Sequence, residues 1–260
     1  MAVTNFIQQI WSKKIQDDLE LKCKLVDNCL RDYEGDCKYA QSVKILGVGE
    51  PTIGAYDGTK DITIEDMSDK GQILTIDQAN YFAFYVDDID QAQSVPGLKE
   101  KYQAKAVHGL AVARDTYVAT LIASATNTTP VTLDEEGVKK GVDAAIVELR
   151  ERNFDEDGVI EMTPAFYNLF KNHLITLSTN NPELIRKGVV GMYDNFECIM
   201  SNNLKTPCDI RGKKAIAFAG QINEVEALRA EKRFKDIVRG LDTFGAKVID
   251  EARIQVLTTA

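Results

Sequence analysis

Three aspartates in one short stretch are the residues best suited to metal chemistry. The sequence YFAFYVDDIDQAQS runs from Tyr81 to Ser94, and its aromatic first half leads into Asp87, Asp88 and Asp90. These carboxylates could supply oxygen ligands to a divalent cation, but a metal site needs further ligands from elsewhere in the fold. They equally suit a strand-to-helix corner, where carboxylates accept hydrogen bonds from free N–H groups and favour the positive end of the helix dipole. We expect a corner, with a metal site and interface charge as the alternatives.

Histidine and cysteine add little chemistry. His108 and His173 are the only histidines, and neither has a cysteine or carboxylate at metal-ligand spacing. The cysteines are Cys23, Cys29, Cys37, Cys198 and Cys208. Their odd number and the absence of C-x-x-C spacing predict reduced structural thiols. The sequence contains no nucleophile elbow and no P-loop, so we expect no catalytic site, no metal and no cofactor.

Three further stretches resemble binding motifs only in part. Residues 154–158 (FDEDG) match the start of a calcium loop but lack its remaining ligands, which predicts a plain turn. Residues 47–54 (GVGEPTIG) lack the spacing of a dinucleotide-binding loop, which favours a flexible arm base. A group of basic residues could contact nucleic acid, although we expect it to form a solvated loop or a subunit contact. This group consists of Lys205, Arg211, Lys213 and Lys214.

Composition limits the function classes. The chain has 260 residues, 44% of them hydrophobic, which is enough for a substantial core. Acidic residues outnumber basic ones by 40 to 31, and the net charge of -9 opposes direct DNA binding as the main activity. The sequence shows neither a signal peptide nor an apolar run of transmembrane length, so we expect a cytosolic, soluble protein with no membrane partner.

Helix signals mark five segments. Ile7, Trp11, Ile15 and Leu19 fall four residues apart, and the stripe continues through Val26 and Leu30, which predicts an amphipathic helix over 4–32. Similar spacing predicts a long helix over 97–124, with Pro96 tolerated at its start. A capping box at Thr132 and Glu135 opens a helix over 133–152. A shorter helix follows Thr163 and ends near residue 172, and another is expected after Pro182.

Most of the remaining segments are predicted to form strands. Short β-rich pieces are predicted at 43–48, 52–56, 62–64 and 73–76, then at 81–86, 159–162, around Gly191 and in 212–222. Residues 47–80 hold seven acids, two lysines and few large apolar residues, which is typical of an extended arm that either extends into solvent or lies on another surface. In the final segment, strands joined at Gly240 and Gly245 are predicted, although the stretch 224–238 fits a helix equally well. The overall mixture is α+β.

The order of these segments resembles a known family. A long N-terminal helix precedes a glycine-rich β arm after YEGD, then VGEPTIGAY, LTIDQANYFAFYVDDIDQAQ and a long helix. Together with GVVGMYDNFECIMSNNL, AIAFAGQI and VRGLDTFGAKVID, this order resembles the major capsid proteins of tailed double-stranded DNA bacteriophages, which have the Hong Kong 97 fold. The resemblance covers most of the chain and concerns fold rather than catalytic motifs.

The resemblance implies a domain order and a set of partners. Residues 1–38 correspond to an N-terminal arm, 39–80 to an extended loop, 81–130 and 224–260 to a peripheral domain with a spine helix, and 131–223 to an axial domain. The implied function is self-assembly through hexamers and pentamers into an icosahedral shell that encloses DNA without reading its sequence. Implied partners are further copies of the chain, a portal, scaffolding and decoration proteins. The implied location is the virion capsid, assembled in the host bacterial cytoplasm.

Charge suggests how subunits meet. Residues 47–90 carry ten acids and two lysines, whereas residues 205–247 carry ten bases and six acids. We therefore expect the acidic arm of one subunit to lie on basic strands of the next. The candidate contacts are Trp11, Glu50, Asp57, Asp61, Glu65, Asp66, Arg229, Arg233 and Arg239. The candidate hinges are Gly47, Gly49, Gly54, Gly188 and Gly191, with ordinary turns as the alternative.

Two other functions fit the sequence. An encapsulin-like nanocompartment would share the fold but hold cargo in place of a genome. An oligomeric enzyme of unknown class, using carboxylates such as Asp87 and Asp88, would need a pocket with perturbed titrating groups.

Overall fold

A computed structural model describes residues 23–34, 42–45, 71–87, 98–176, 190–229 and 235–259. The helices within these ranges are α1 (Leu98–Ala123), α2 (Glu135–Glu151) and α3 (Pro164–Thr176). The strands are β1 (Ser42–Ile45), β2 (Gln72–Thr75), β3 (Gln78–Asp87), β4 (Thr128–Val131), β5 (Gly158–Met162), β6 (Met192–Tyr193), β7 (Phe196–Met200), β8 (Cys208–Gly212), β9 (Ile216–Arg229), β10 (Lys235–Val248) and β11 (Ile254–Thr259). Two 3-10 turns lie at Val26–Asn28 and Glu251–Arg253.

The first core lies between α1 and a three-stranded antiparallel sheet of order β3-β10-β9. Alternate residues of the strands face the helix, and Phe218 and Phe244 stack there at 6.0 Å between ring centroids. The helix is also tied to β10 by a buried ion pair, in which Arg114 Nε donates to Asp242 Oδ2 at 3.0 Å. Burial of these aromatic side chains stabilises the pairing of helix and sheet.

A second, smaller sheet lies on the opposite face of β9 and β10. Strands β1 and β2 pair antiparallel, and their Leu74 is buried against Ala217 and Ala219 of β9. Small residues allow the hairpin to approach closely, and Gly245 of β10 gives the extreme case. A Cβ at Gly245 would lie 2.1 Å from the carbonyl oxygen of Thr75. The β1–β2 hairpin is therefore seated directly on the backbone of β10.

The second core lies between a six-stranded mixed sheet and the helices α2 and α3. The strand order is β4-β11-β8-β5-β7-β6, with parallel pairs β4·β11 and β5·β7. Helix α2 buries the apolar stripe that its periodicity predicts, namely Val138, Val142, Ala145, Ile146 and Leu149. The N-cap of α2 is Asp134, whose side chain accepts a hydrogen bond from Gly137 N at 3.1 Å, so the capping box predicted at Thr132 is wrong.

Several sequence predictions are confirmed and others need correction. Helices α1 and α2 match the predicted ranges 97–124 and 133–152 closely, and α3 continues to Thr176 rather than to residue 172. Residues 23–34 form no α-helix, so the C-terminal part of the helix predicted over 4–32 is wrong, and its earlier part lies outside the described residues. Gly240 and Gly245 do not join strands, because both lie inside β10. The helical alternative for 224–238 is wrong for the described residues, which are in strands.

The predicted division into arm, loop, peripheral and axial domains stays a prediction. The C-terminal strand β11 hydrogen-bonds to β4 and β8 in the six-stranded sheet, so the end of the chain contributes to the sheet built from the predicted axial segment.

Candidate assembly surfaces

Most of the sequence-predicted contact and hinge residues lie outside the described residues. These are Trp11, Glu50, Asp57, Asp61, Glu65, Asp66, Arg233, Gly47, Gly49, Gly54 and Gly188. Arg229 is the last residue of β9 and lies opposite Asp236 of β10. Arg239 lies in β10 opposite Ala83 of β3, and its side chain is exposed. Gly191 precedes β6, and a Cβ placed there would meet no atom within 4 Å.

Residues singled out for metal chemistry do not converge within the described part of the chain. Asp87 ends β3 opposite Lys235, while Asp88 and Asp90 lie outside the described residues. His108 is exposed on α1, and His173 lies in the last turn of α3. Among the residues that the structure describes, no three histidine, cysteine or acidic side chains form a group that could hold a metal ion. The search of these residues also finds no helix with the length and hydropathy of a membrane span.

An exposed aromatic face lies on β3 and β10, on the side of the sheet opposite α1. Tyr81 and Tyr85 of β3 are 80% and 67% exposed, and Leu241, which pairs with Tyr81, is 40% exposed. Arg239 lies between these positions, and Ile237 is paired with Tyr85. We call these five residues the tyrosine face. Large exposed apolar side chains grouped on one surface are typical of a protein–protein interface.

The tyrosine face continues the surface on which the β1–β2 hairpin lies. Gly245 and Lys247 occupy the same face of β10 farther along the strand, and Lys247 Nζ donates to the carbonyl oxygen of Ile73 in β2 at 3.0 Å. One half of this sheet face is thus covered by the chain's own hairpin. The other half, which carries the tyrosines, is exposed in the single chain.

A buried ionic cluster lies between the two cores and was not predicted from the sequence. Arg211 of β8 is completely buried and donates to both carboxylate oxygens of Glu161 in β5, at 2.8 and 3.2 Å. Its remaining N–H groups donate to the backbone carbonyls of Leu25 at 2.9 Å and Asn28 at 2.7 Å and to Cys29 Sγ at 3.7 Å. The sequence placed Arg211 in a solvated basic group, and the structure corrects this assignment.

The N-terminal residues 23–30, which we call the docked segment, are held from the other side by Asp115 of α1. Asp115 accepts hydrogen bonds from the backbone N–H groups of Lys24, Leu25 and Val26 at 3.1, 3.2 and 3.3 Å. Asp115 therefore holds the N–H groups and Arg211 holds the carbonyls. Burial raises the pKa of Asp115, and the three backbone N–H groups act in the opposite direction. The docked segment also pairs with β9, because Leu30 bridges Ala217.

Two buried carboxyl groups face each other beside Arg211. Glu161 and Asp209 are direct cross-strand partners in the β5·β8 ladder, and both are fully buried. Burial raises the pKa of Asp209 well above its ordinary value, and the neighbouring charge of Glu161 raises it further. Burial also raises the pKa of Glu161, although Arg211 opposes that shift. Like charges directly opposite each other destabilise a strand pair, so ionisation of one carboxyl group opposes ionisation of the other.

Comparison with known proteins identifies the fold. No family model and no curated protein matches the sequence. Among solved structures, a chain from Mycobacterium phage Che8 matches with a TM-score of 0.77, 24% identity and 90% of each chain covered. The capsid structure of the cyanophage P-SCSP1u matches with a TM-score of 0.74 and 15% identity, over 89% of this chain and 86% of that one. The chain has the Hong Kong 97 capsid fold.

A virus-like particle from Pyrococcus furiosus has the same fold. It matches with a TM-score of 0.62 and 13% identity, over 96% of this chain and 99% of the other. The expected fold is therefore confirmed. The correspondence of α1 to the spine helix, and of β1 and β2 to the base of the extended loop expected over 39–80, stays a prediction.

Proposed function

We propose that the chain is the major capsid protein of a tailed bacteriophage and assembles through hexamers and pentamers into an icosahedral shell around DNA. The observation that carries the proposal is a fold match that spans about nine tenths of this chain and of phage chains. A match of that extent leaves little of the chain for an added catalytic domain. The proposed role is structural, and the proposed location is the virion capsid after assembly in the host cytoplasm.

We also propose a target for the subunit contact that was expected from charge. We place the acidic arm of one subunit, residues 47–70, on the tyrosine face of the next. Arg239 would meet the carboxylates of the arm, while Tyr81, Tyr85 and Leu241 would supply apolar area. In this arrangement the candidate hinge glycines adjust the arm and the axial segment to the different curvature of hexamers and pentamers. Portal, scaffolding and decoration proteins complete the proposed set of partners.

Electron microscopy of the purified full-length chain, preceded by sedimentation, tests the proposal. Closed shells, tubes or rings of five and six subunits are expected. A compact monomer that persists over a wide range of salt and protein concentration, with the scaffold present, would contradict it.

Charge reversal tests the proposed contact. Arg239→Glu exchanges attraction for repulsion, and a change of about 1 to 2 kcal/mol per contact corresponds to a roughly 5- to 30-fold higher concentration for assembly. The matched control is Lys105→Glu, which makes the same charge change at an exposed position of α1. Equal effects of both variants, or assembly that is insensitive to salt, would count against the tyrosine face as the target.

The second candidate function is a compartment that encloses protein cargo. The match to the virus-like particle, which covers almost all of both chains, favours keeping this alternative. Particles purified from the native source distinguish the two functions. Nuclease-resistant DNA and one distinct portal vertex indicate a phage capsid, whereas enclosed protein without DNA indicates a compartment.

A further inference from the structure

Asp209 is a buried carboxyl group that faces another carboxyl group, Glu161. Within the described residues no group donates a hydrogen bond to either of its oxygens. The nearest cation is Arg211, whose Nε lies 3.7 Å from Oδ2, beyond hydrogen-bond distance. Buried polar groups in native proteins are nearly always hydrogen-bonded, so an orphaned carboxyl of this kind requires an explanation.

Arg211 is already committed to other partners. It forms two hydrogen bonds with Glu161 and donates to the carbonyls of Leu25 and Asn28. One positive charge balances one carboxylate. With Asp209 protonated, the cluster is electrically neutral, and with Asp209 ionised it carries one uncompensated negative charge away from water.

The docked segment covers this cluster. Asn28 donates through Nδ2 to Glu161 Oε1 at 3.3 Å, and Leu25 and Val26 are buried beside it. Residues 24–28 include only one 3-10 turn, and their backbone is held mainly by Asp115 and Arg211. Opening of this short segment would admit water to Asp209 with loss of the Leu30 bridge to β9, while the strand pairs of both sheets remain.

We propose that Asp209 and Glu161 share one proton that locks the docked segment in place, and that loss of this proton opens the segment. In the closed state the pair carries a single negative charge, which Arg211 neutralises while it holds the segment. When the proton is lost to solvent, the buried negative charge is relieved by opening. All of the groups involved belong to one chain, so the proposed opening does not depend on contacts between subunits of a shell.

The surroundings of Asp209 support this assignment. Charged or titratable groups near the cluster come from β5, β8, α1, the docked segment and β7. They are Glu161, Arg211, Cys208, Asp115, Cys29 and Cys198. Of these, Cys208 and Cys198 lie on the side of the sheet that faces the second core. Neighbouring β11 contributes the apolar residue Val256, which is the register partner of Asp209. Arg211 is the one cation in this set.

The sign of the pH dependence follows from linkage. An aspartate that is open to water has a pKa of about 3.9. Burial raises the pKa of Asp209 in the closed state. The closed state therefore binds more protons, and it is favoured at pH values below the open-state pKa. As the pH rises from the open-state value to the raised closed-state value, opening increases by up to tenfold per pH unit. Above the raised value the effect is constant.

The native cysteines provide the measurement. Cys29 lies in the docked segment and is buried, whereas Cys208 is buried against the second core and reports global unfolding. Thiol alkylation of the full chain is followed from pH 5 to 9 by peptide mass spectrometry. Each rate is divided by the rate in Asp209→Asn, which removes the pH dependence of the thiol chemistry. Asp157→Asn, at an exposed carboxyl, is the matched control.

The expected result is a Cys29 rate ratio that rises with pH by severalfold to tenfold per unit, while the Cys208 ratio stays constant. Asp157→Asn should behave as the unaltered chain. A Cys29 ratio constant within twofold, or Cys29 and Cys208 ratios that rise together, would overturn the proposal. If Asp209→Asn does not fold, Glu161→Gln serves as reference, since removal of the other member of the pair also removes the pH slope. Where Asp209→Asn folds, a Cys29 rate ratio between Glu161→Gln and Asp209→Asn that rises with pH refutes the shared proton.

Discussion

The close approach at Gly245 predicts a specific destabilisation by a single methyl group. A Cβ at this position would lie 2.1 Å from Thr75 O and 3.0 Å from the Cα of Ile76, both of which are backbone atoms. A carbon atom needs about 3.5 Å from such neighbours, so β2 must move by more than 1 Å in Gly245→Ala. The clash involves no flexible side chain that could rotate away.

The cost comes from the contacts that the displaced hairpin loses. Leu74 is fully buried against Ala217 and Ala219, and full burial of a leucine side chain is worth about 1.5 to 3 kcal/mol. Overpacking elsewhere in proteins costs about 1 to 3 kcal/mol. We therefore expect Gly245→Ala to lower the free energy of unfolding by about 2 to 3 kcal/mol.

Urea denaturation followed by circular dichroism measures this change, with Gly191→Ala as the matched control. A Cβ at Gly191 meets nothing within 4 Å, so this variant should stay within about 1 kcal/mol of the unaltered chain. An effect of Gly245→Ala below about 0.5 kcal/mol would refute the seating of the hairpin on β10. Equal effects of both variants would refute the claim that lack of space at Gly245 causes the destabilisation.

Three further outcomes are expected. Arg211→Met should lower the free energy of unfolding by about 3 to 5 kcal/mol, because it leaves the buried carboxylate of Glu161 unpaired. Adding Glu161→Gln should recover part of that loss in the same urea assay. A double variant as unstable as Arg211→Met would argue against the pairing of Arg211 with Glu161. In α1, a Cβ at Gly109 would meet nothing within 4 Å. Gly109→Ala should therefore raise the free energy of unfolding by about 0.5 to 1 kcal/mol and the Tm by roughly 1 to 4 °C. A lower Tm would contradict the open space at this position. Burial raises the pKa of Cys208 well above its ordinary value. This thiol should therefore resist alkylation at pH 8 in the native chain and react in urea. Rapid labelling of the native chain would contradict the burial of Cys208.

The helices could be predicted because their signal is local. In α2 the apolar residues repeat with the period of a helix, and each of them is buried. The same reasoning failed for residues 23–34, where Asp115, some 90 residues away in sequence, supplies the hydrogen bonds that a continued helix would otherwise supply. A capping group from so distant a residue leaves no mark in the local pattern.

The glycines of β10 were misread for a related reason. The sequence predicted that Gly240 and Gly245 join strands. Instead, each lies inside a strand at a position where another group occupies the space that a side chain would need. The Phe82 ring would lie 2.4 Å from a Cβ at Gly240, and Thr75 O fills the corresponding space at Gly245. Only the strand pairing reveals these neighbours.

The ionic cluster could have been suspected from alternation alone. In the sequence CDIRG, Cys208 and Ile210 face one core while Asp209 and Arg211 face the other side. A strand with alternating apolar and charged residues usually exposes the charged face, so the sequence favoured solvent. That face is covered here by the docked segment and α1, which is a property of the tertiary fold.

The position of the docked segment has a consequence for synthesis. Leu25 binds Arg211, which lies 186 residues later in the sequence, and Leu30 bridges Ala217. At translation rates of about 5 to 20 residues per second, the segment waits roughly 10 to 40 s on the ribosome before these partners exist. During that interval Leu25 and Val26, buried in the finished chain, are without those partners. The first of the described residues to be made is thus among the last to dock.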